Sequence, residues 1–231
     1  MPGKVRTETA DGLGWIIFDH EARRNAITRE MWRAIPPAAE RLEQDPAVRV
    51  VLLRGAGEVA FVSGADISEF ESSRSGADAE EYDRENGRAF DALLSLSKPT
   101  IALIHGFCVG GGCALALTAD LRYAAEDAVF GIPAARLGLG YSAPGIETLV
   151  RIVGLPAAKE IFFTARRFDA ANAARLGLVN QILPKRELES FVLSLAREIS
   201  ANAPLTLRSA KLVMKELAKA PAQRKDRKSV V

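Results

Sequence analysis

Thr100-Ile101-Ala102-Leu103-Ile104-His105-Gly106-Phe107-Cys108-Val109-Gly110-Gly111-Gly112-Cys113-Ala114-Leu115-Ala116-Leu117 is the stretch that decides the fold. Thr100 to His105 reads as an apolar strand, and the residues after Gly112 read as an apolar helix. Three glycines join them. A helix start carries unpaired N–H groups and the positive end of the helix dipole. Glycine lets a ligand oxygen approach those groups, so the turn suits a negative oxygen.

A second turn of the same design lies upstream, at Phe61-Val62-Ser63-Gly64-Ala65-Asp66-Ile67. If the two turns face each other, the N–H groups of Ala65 and Gly111 converge on one oxygen. Either turn alone is more often a packing device than a catalytic one.

The flanking chain places these turns in a mixed α/β fold. Residues 4–9 and 14–19 alternate around Asp11-Gly12 and predict a β-hairpin. Thr28 precedes a helical stretch that runs to about Gln44, with Met31, Ile35, Ala38 and Leu42 on one face. Val48 to Leu53 predicts a buried strand ending at Gly55. Residues 71–79 read as a mobile loop, and Asp78 to Ser95 as a polar amphipathic helix. Short strands follow near 121–124 and 128–130. Helices then cover 144–153, 156–164, 170–175, 187–201 and 205–219, interrupted by a strand over Leu178 to Leu183. This differs from the strict alternation of a doubly wound sheet. The glycine spacing does not give G-x-G-x-x-G, and no Walker loop occurs.

Composition narrows the partners. The chain has 231 residues, a formal net charge of +2 and 48% hydrophobic residues, which suits one soluble core. So small a charge makes nucleic acid or an anionic membrane an unlikely main partner, the basic tail after Pro221 being the only feature in favour. Met1 to Arg6 carries no apolar stretch, so no signal peptide is expected, and no run reads as long and apolar enough to span a bilayer. Cys108 and Cys113 flank the glycine turn and lack further ligands, so neither a disulfide scaffold nor a metal site is expected. Buried, reduced thiols and a cytoplasmic location are the corresponding expectations.

Together the two turns resemble the crotonase, or enoyl-CoA hydratase/isomerase, family. The resemblance includes Arg24-Asn25-Ala26-Ile27, Phe130-Gly131-Ile132-Pro133 and Ala174-Arg175-Leu176-Gly177-Leu178-Val179-Asn180, and it spans residues 5 to 215 in order. It implies a spiral of ββα units over residues 1–185 and a helical C-terminal portion over 186–231 ending in a basic tail. It also implies a homotrimer or a dimer of trimers. Family chains continue a few dozen residues beyond 220, so pocket closure and assembly are expected to be weaker here.

The implied ligand is an acyl-CoA thioester, with no cofactor besides the coenzyme A of the substrate. By resemblance, the Ala65 and Gly111 amides form an oxyanion hole, and Arg24, Ala26, Ala65, Asp66 and Ile67 line the coenzyme A site. For Asp66 a helix cap is the competing role, and for Arg23 and Arg24 plain solvation is.

Two departures bear on the reaction. The family's two glutamates fall at Ala114 and Ala134. An alanine can neither take nor give a proton, so hydration by that pair is doubtful. Tyr141, in Leu137-Gly138-Leu139-Gly140-Tyr141-Ser142-Ala143-Pro144-Gly145, lies in a segment similar to methylmalonyl-CoA decarboxylase, a crotonase relative. There it is a candidate to orient a carboxylate or deliver a proton. A half-buried ring bonded to backbone is the structural alternative. Glu147 fits a solvated helix face, and His105 a hydrogen-bonded structural histidine. No serine elbow supports a hydrolase triad. A non-catalytic acyl-CoA-binding protein remains the alternative from another class.

Overall fold

The computed structural model describes residues 2–66, 77–141, 143–219 and 221–224. Ile67, most of the expected 71–79 loop, and the tail beyond Arg224 lie outside them.

The chain opens with β1 (Lys4–Ala10) and β2 (Leu13–Asp19), then α1 (Arg29–Gln44), β3 (Val50–Gly55), β4 (Ala60–Val62) and α2 (Ala77–Ser95). Next come β5 (Thr100–Ile104), β6 (Phe107–Val109), α3 (Gly111–Thr118), β7 (Leu121–Ala125) and β8 (Val129–Gly131). The C-terminal part contains α4 (Ala143–Val153), α5 (Leu155–Thr164), β9 (Arg167–Asp169), α6 (Ala170–Arg175), β10 (Gln181–Leu183), α7 (Lys185–Ala201) and α8 (Pro204–Leu217). Among the described residues there are therefore repeated strand-strand-helix units followed by helices, the α/β spiral expected.

Two sheets result. The larger has the order β1-β2-β3-β5-β7-β10, and the smaller β4-β6-β8-β9. Among the strands of the described residues, β1–β2 and β8–β9 pair antiparallel and the other neighbours pair parallel. Every residue of β5 is buried, because both faces of the large sheet are covered. Ile101 and Leu103 pack with Leu188, Val192 and Ala196 of α7. Ala102 and Ile104 face the main core with Trp32, Phe61 and Phe130. The small sheet thus stands beside the main core, and its strands carry both glycine turns at their ends.

Two expectations change. The strand over Leu178 to Leu183 shortens to Gln181–Leu183, because the Leu178 amide closes a turn onto the Ala173 carbonyl. Strand β9 was not anticipated, since Arg167-Phe168-Asp169 is short and polar and is held only by pairing with β8.

Candidate active site

Beyond β4 the chain runs beside residues 24–27. Ser63 N donates to the Arg24 carbonyl (3.1 Å), Ile27 N to Gly64 (2.8 Å) and Asp66 N to Ile27 (2.9 Å). In this parallel bridge Ile27 uses both of its backbone groups. Ala65's own N–H and C=O therefore point the other way. Among the described residues no backbone acceptor takes the Ala65 N–H.

The second turn opens α3. Gly110 has φ 55°, a left-handed conformation that favours glycine, and no side chain caps the helix there. Gly112 must also be glycine, for a β-carbon there would lie far inside contact distance of the Val62 carbonyl. That close approach locks the helix start against β4. Residues 112, 113 and 115–118 of α3 are buried, so its dipole acts through protein rather than water. Beyond its C-terminal end, buried Arg122 donates to the Ala119 carbonyl (2.5 Å) and to Leu178 (2.7 Å). The helix is thus neutralised at its negative end and left open at its positive one.

The turns meet. An added β-carbon on Gly111 would stand 3.8 Å from the Ala65 nitrogen and 3.4 and 3.6 Å from two ring carbons of Trp32. Trp32 is buried; its Nε1–H donates to the Tyr82 hydroxyl (3.1 Å) and its ring meets Phe90 edge-on at 5.3 Å. Trp32 had no place among the expected site residues. Its signal was an indole on the buried face of an amphipathic helix, which requires a polar partner inside the protein.

The remaining expected residues divide into three groups. Arg24, Ala26 and Asp66 stand beside Ala65 through the 24–27 ladder. The Arg24 guanidinium is exposed and lies 4.7 Å from the centre of the Phe107 ring. The Ala26 carbonyl contacts His20 Nδ1 at 2.9 Å. Asp66 is buried at 8% exposure. Asn25, between Arg24 and Ala26, is a clamp: its amide donates to Ala56 (2.9 Å) and Ala60 (2.8 Å) and accepts from His20 N (3.0 Å).

Tyr141 lines a cavity of about 270 Å³ together with Ala134, and its ring meets Phe162 edge-on at 5.1 Å. The segment that carries Ala134 borders the glycine turn, since Pro133 Cδ lies 3.9 Å from where a Gly110 β-carbon would stand. Ala114 sits half-buried one turn into α3.

Glu147 and His105 take no part. Glu147 is exposed. His105 is buried at 3% exposure, yet among the described residues neither ring nitrogen has a hydrogen-bond partner. The expectation of a hydrogen-bonded histidine is thereby corrected. Burial pushes its pKa down from the ordinary value. Both cysteines are free and buried; Cys113 Sγ donates to the Cys108 carbonyl (2.7 Å), and burial pushes the Cys108 thiol well up. Among the described residues no helix is long and apolar enough to cross a membrane.

Comparison with known proteins decides the family. The model of the enoyl-CoA hydratase/isomerase family matches residues 8–229. The chain belongs to the enoyl-CoA hydratase/isomerase family. It is 36% identical over 187 residues to the short-chain-enoyl-CoA hydratase of Clostridium acetobutylicum, covering 81% of this chain and 71% of that one. It is 34% identical over 209 residues to the crotonyl-CoA hydratase of Syntrophomonas wolfei, covering 90% and 80%. Among solved structures, an enoyl-CoA hydratase/carnithine racemase from Magnetospirillum magneticum superposes with a TM-score of 0.91 at 33% identity, covering 95% of this chain and 84% of that one. Family members act on acyl-CoA thioesters.

Proposed function

We propose that this protein is an acyl-CoA enzyme that stabilises a thioester enolate between the N–H groups of Ala65 and Gly111. The observation that carries the reading is their proximity: a β-carbon on Gly111 would lie 3.8 Å from the Ala65 nitrogen. When a thioester carbonyl becomes an enolate, its oxygen gains negative charge. Two fixed donors, one backed by a buried helix dipole, favour that state over the neutral carbonyl.

The reaction is one that does not depend on two acids. Hydration by paired glutamates lacks its groups, because Ala114 and Ala134 occupy their places. Decarboxylation is the reading favoured by Tyr141, which lines the same cavity as Ala134. The bond from the α-carbon to the carboxylate breaks, CO₂ leaves, and the electron pair remains as the enolate. A proton then reaches the α-carbon, and in this reading the Tyr141 phenol delivers it. No base that removes a carbon-bound proton is required.

The experiment offers crotonyl-CoA and methylmalonyl-CoA to the wild type and to Tyr141→Phe. CO₂ release from methylmalonyl-CoA that falls in the variant supports decarboxylation. Rapid hydration of crotonyl-CoA, unchanged by Tyr141→Phe, overturns it. Coenzyme A binding without turnover across a broad thioester panel favours a binding protein instead.

A further inference from the structure

Arg122 is a buried cation whose partners are carbonyls. It is 7% exposed, and its guanidinium donates to Ala119 (2.5 Å) and Leu178 (2.7 Å). Among the described residues it forms no ion pair, for the nearby Asp120 carboxylate turns instead to Thr100 and, at 2.6 Å, to Lys211. Cys108 beside it stays neutral, because burial pushes that thiol well up. Burial pushes the pKa of Arg122 itself down, yet a guanidinium remains charged near neutral pH. Arginine is rarely buried unpaired, because its charge gives up water that carbonyls only partly replace. Capping Ala119 does not require that charge, since a neutral amide also donates to a carbonyl.

The position gives the charge a second use. Ala119 follows directly on α3, whose first residue is Gly111. Eight residues of helix span about 12 Å. Ile104, Cys113, Phe130 and Leu117 pack beside Arg122, so protein rather than water carries the field along α3. At an effective dielectric of about 20, a unit charge at that distance favours a negative oxygen at the helix start about tenfold.

We propose that Arg122 is a positioning residue of the oxyanion site: it fixes the far end of α3 and adds its buried positive charge to the potential at Gly111. The inference rests on the reading of Ala65 and Gly111 as oxyanion donors. The charge favours an enolate over a neutral carbonyl, so it acts on the reaction more than on thioester binding.

Acetoacetyl-CoA tests this on the full chain, whatever reaction the enzyme performs. The carbon between its two carbonyls gives a proton to solvent and leaves an enolate that absorbs in the ultraviolet. The pH at which the bound thioester ionises therefore reads the potential at the site. Wild type is expected to bring that midpoint below the value for free acetoacetyl-CoA. Arg122→Gln keeps a donor and removes the charge, and is expected to raise the midpoint by about one pH unit over wild type. Arg122→Lys keeps the charge and loses the planar fork; its midpoint is expected to stay close to wild type even if its melting temperature falls. Arg122→Met, also neutral, replaces Arg122→Gln should that variant not fold. A folded neutral variant with the wild-type midpoint overturns the inference and leaves the oxyanion reading intact. So does a midpoint raised equally by Arg122→Lys, which would make packing rather than charge the cause. Acetoacetyl-CoA that fails to bind wild type, or binds without easier ionisation, overturns the oxyanion reading as well.

Discussion

Gly111 and Ala65 lie so close that a β-carbon on the first would stand 3.8 Å from the amide nitrogen of the second. The same added carbon would touch Trp32 at 3.4 Å, an ordinary contact distance. Gly111 is thus a glycine that the fold tolerates replacing, and Gly112 beside it is not.

That contrast yields the first prediction. Gly111→Val is expected to fold with a melting temperature within several degrees of wild type, yet to weaken acyl-CoA binding and turnover. Valine keeps the Gly111 N–H but blocks a ligand oxygen from reaching it, and losing the use of one such donor typically costs about 10²–10³ in rate. Gly112→Ala is expected to lower the melting temperature sharply, because its β-carbon meets the Val62 carbonyl; overpacking of this kind costs about 1–3 kcal/mol or more. Thermal denaturation and titration of both variants check the pair. An equal loss of stability in both would place Gly111 among the packing glycines.

Trp32 supplies the second prediction. Tyr82→Phe leaves the indole N–H, held at 3.1 Å in the wild type, without that acceptor inside the core. An unsatisfied buried donor costs about 1–3 kcal/mol. The urea midpoint is expected to fall with an unchanged slope. Trp32→Ala removes the wall beside Gly111 as well, and truncations of this size cost about 3–5 kcal/mol.

Much of this was legible because local chemistry decided it. Asp11 and Gly12 take φ 52° and 79°, the mirror-image turn that their sequence demands. Thr28 caps α1 by accepting from Met31 N at 3.3 Å, as its position before an amphipathic run predicts. The meeting of the two glycine turns was readable only as a condition, since it depends on the pairing of three-residue strands far apart in sequence. Strand β9 was not readable at all, and for Trp32 the sequence showed the need for a partner but not that Tyr82 is it. The strand and the Trp32–Tyr82 bond arise from tertiary contacts that leave no period in the chain. The cavity around Tyr141 belongs with them, because α4, α5 and the 133–136 turn converge to make it.

Acid stability provides the third prediction. Burial holds the His105 pKa below its ordinary 6.5, with Glu58, Arg54, Lys185 and Asp127 as its charged surroundings. The unfolded chain therefore binds a proton that the folded chain refuses. Stability from this source is present above pH 6.5 and is lost as the pH falls below it. Glu85 acts lower down. Burial would raise its pKa, but bonds from Arg29 and Arg33 outweigh that and hold it below 4.5. Its contribution is present above pH 4.5 and is lost as the pH falls through the folded value. His105→Leu is expected to flatten the stability profile just below pH 6.5 and to leave the loss below 4.5 in place. Glu85→Gln is expected to do the reverse. Urea denaturation at a series of pH values separates the two windows.

Restoring the missing acids gives the last prediction. Ala114 stands one turn beyond Gly110, and Ala134 follows Pro133, whose ring lies beside the same turn. Glutamates at both positions would return the groups that position water and move a proton. Each such group is worth about 10²–10⁴ in rate. Ala134→Glu alone places a carboxyl against Leu139 and Val150, where burial raises its pKa and favours the protonated form. That form can donate a proton but cannot accept one, so the single variant is expected to gain little. The double variant Ala114→Glu with Ala134→Glu is expected to hydrate crotonyl-CoA at least about a hundredfold faster than wild type. Loss of double-bond absorbance at neutral pH measures it. A wild-type rate already matching the double variant would mean that another group supplies the proton, and the two alanines would then carry no information about the reaction.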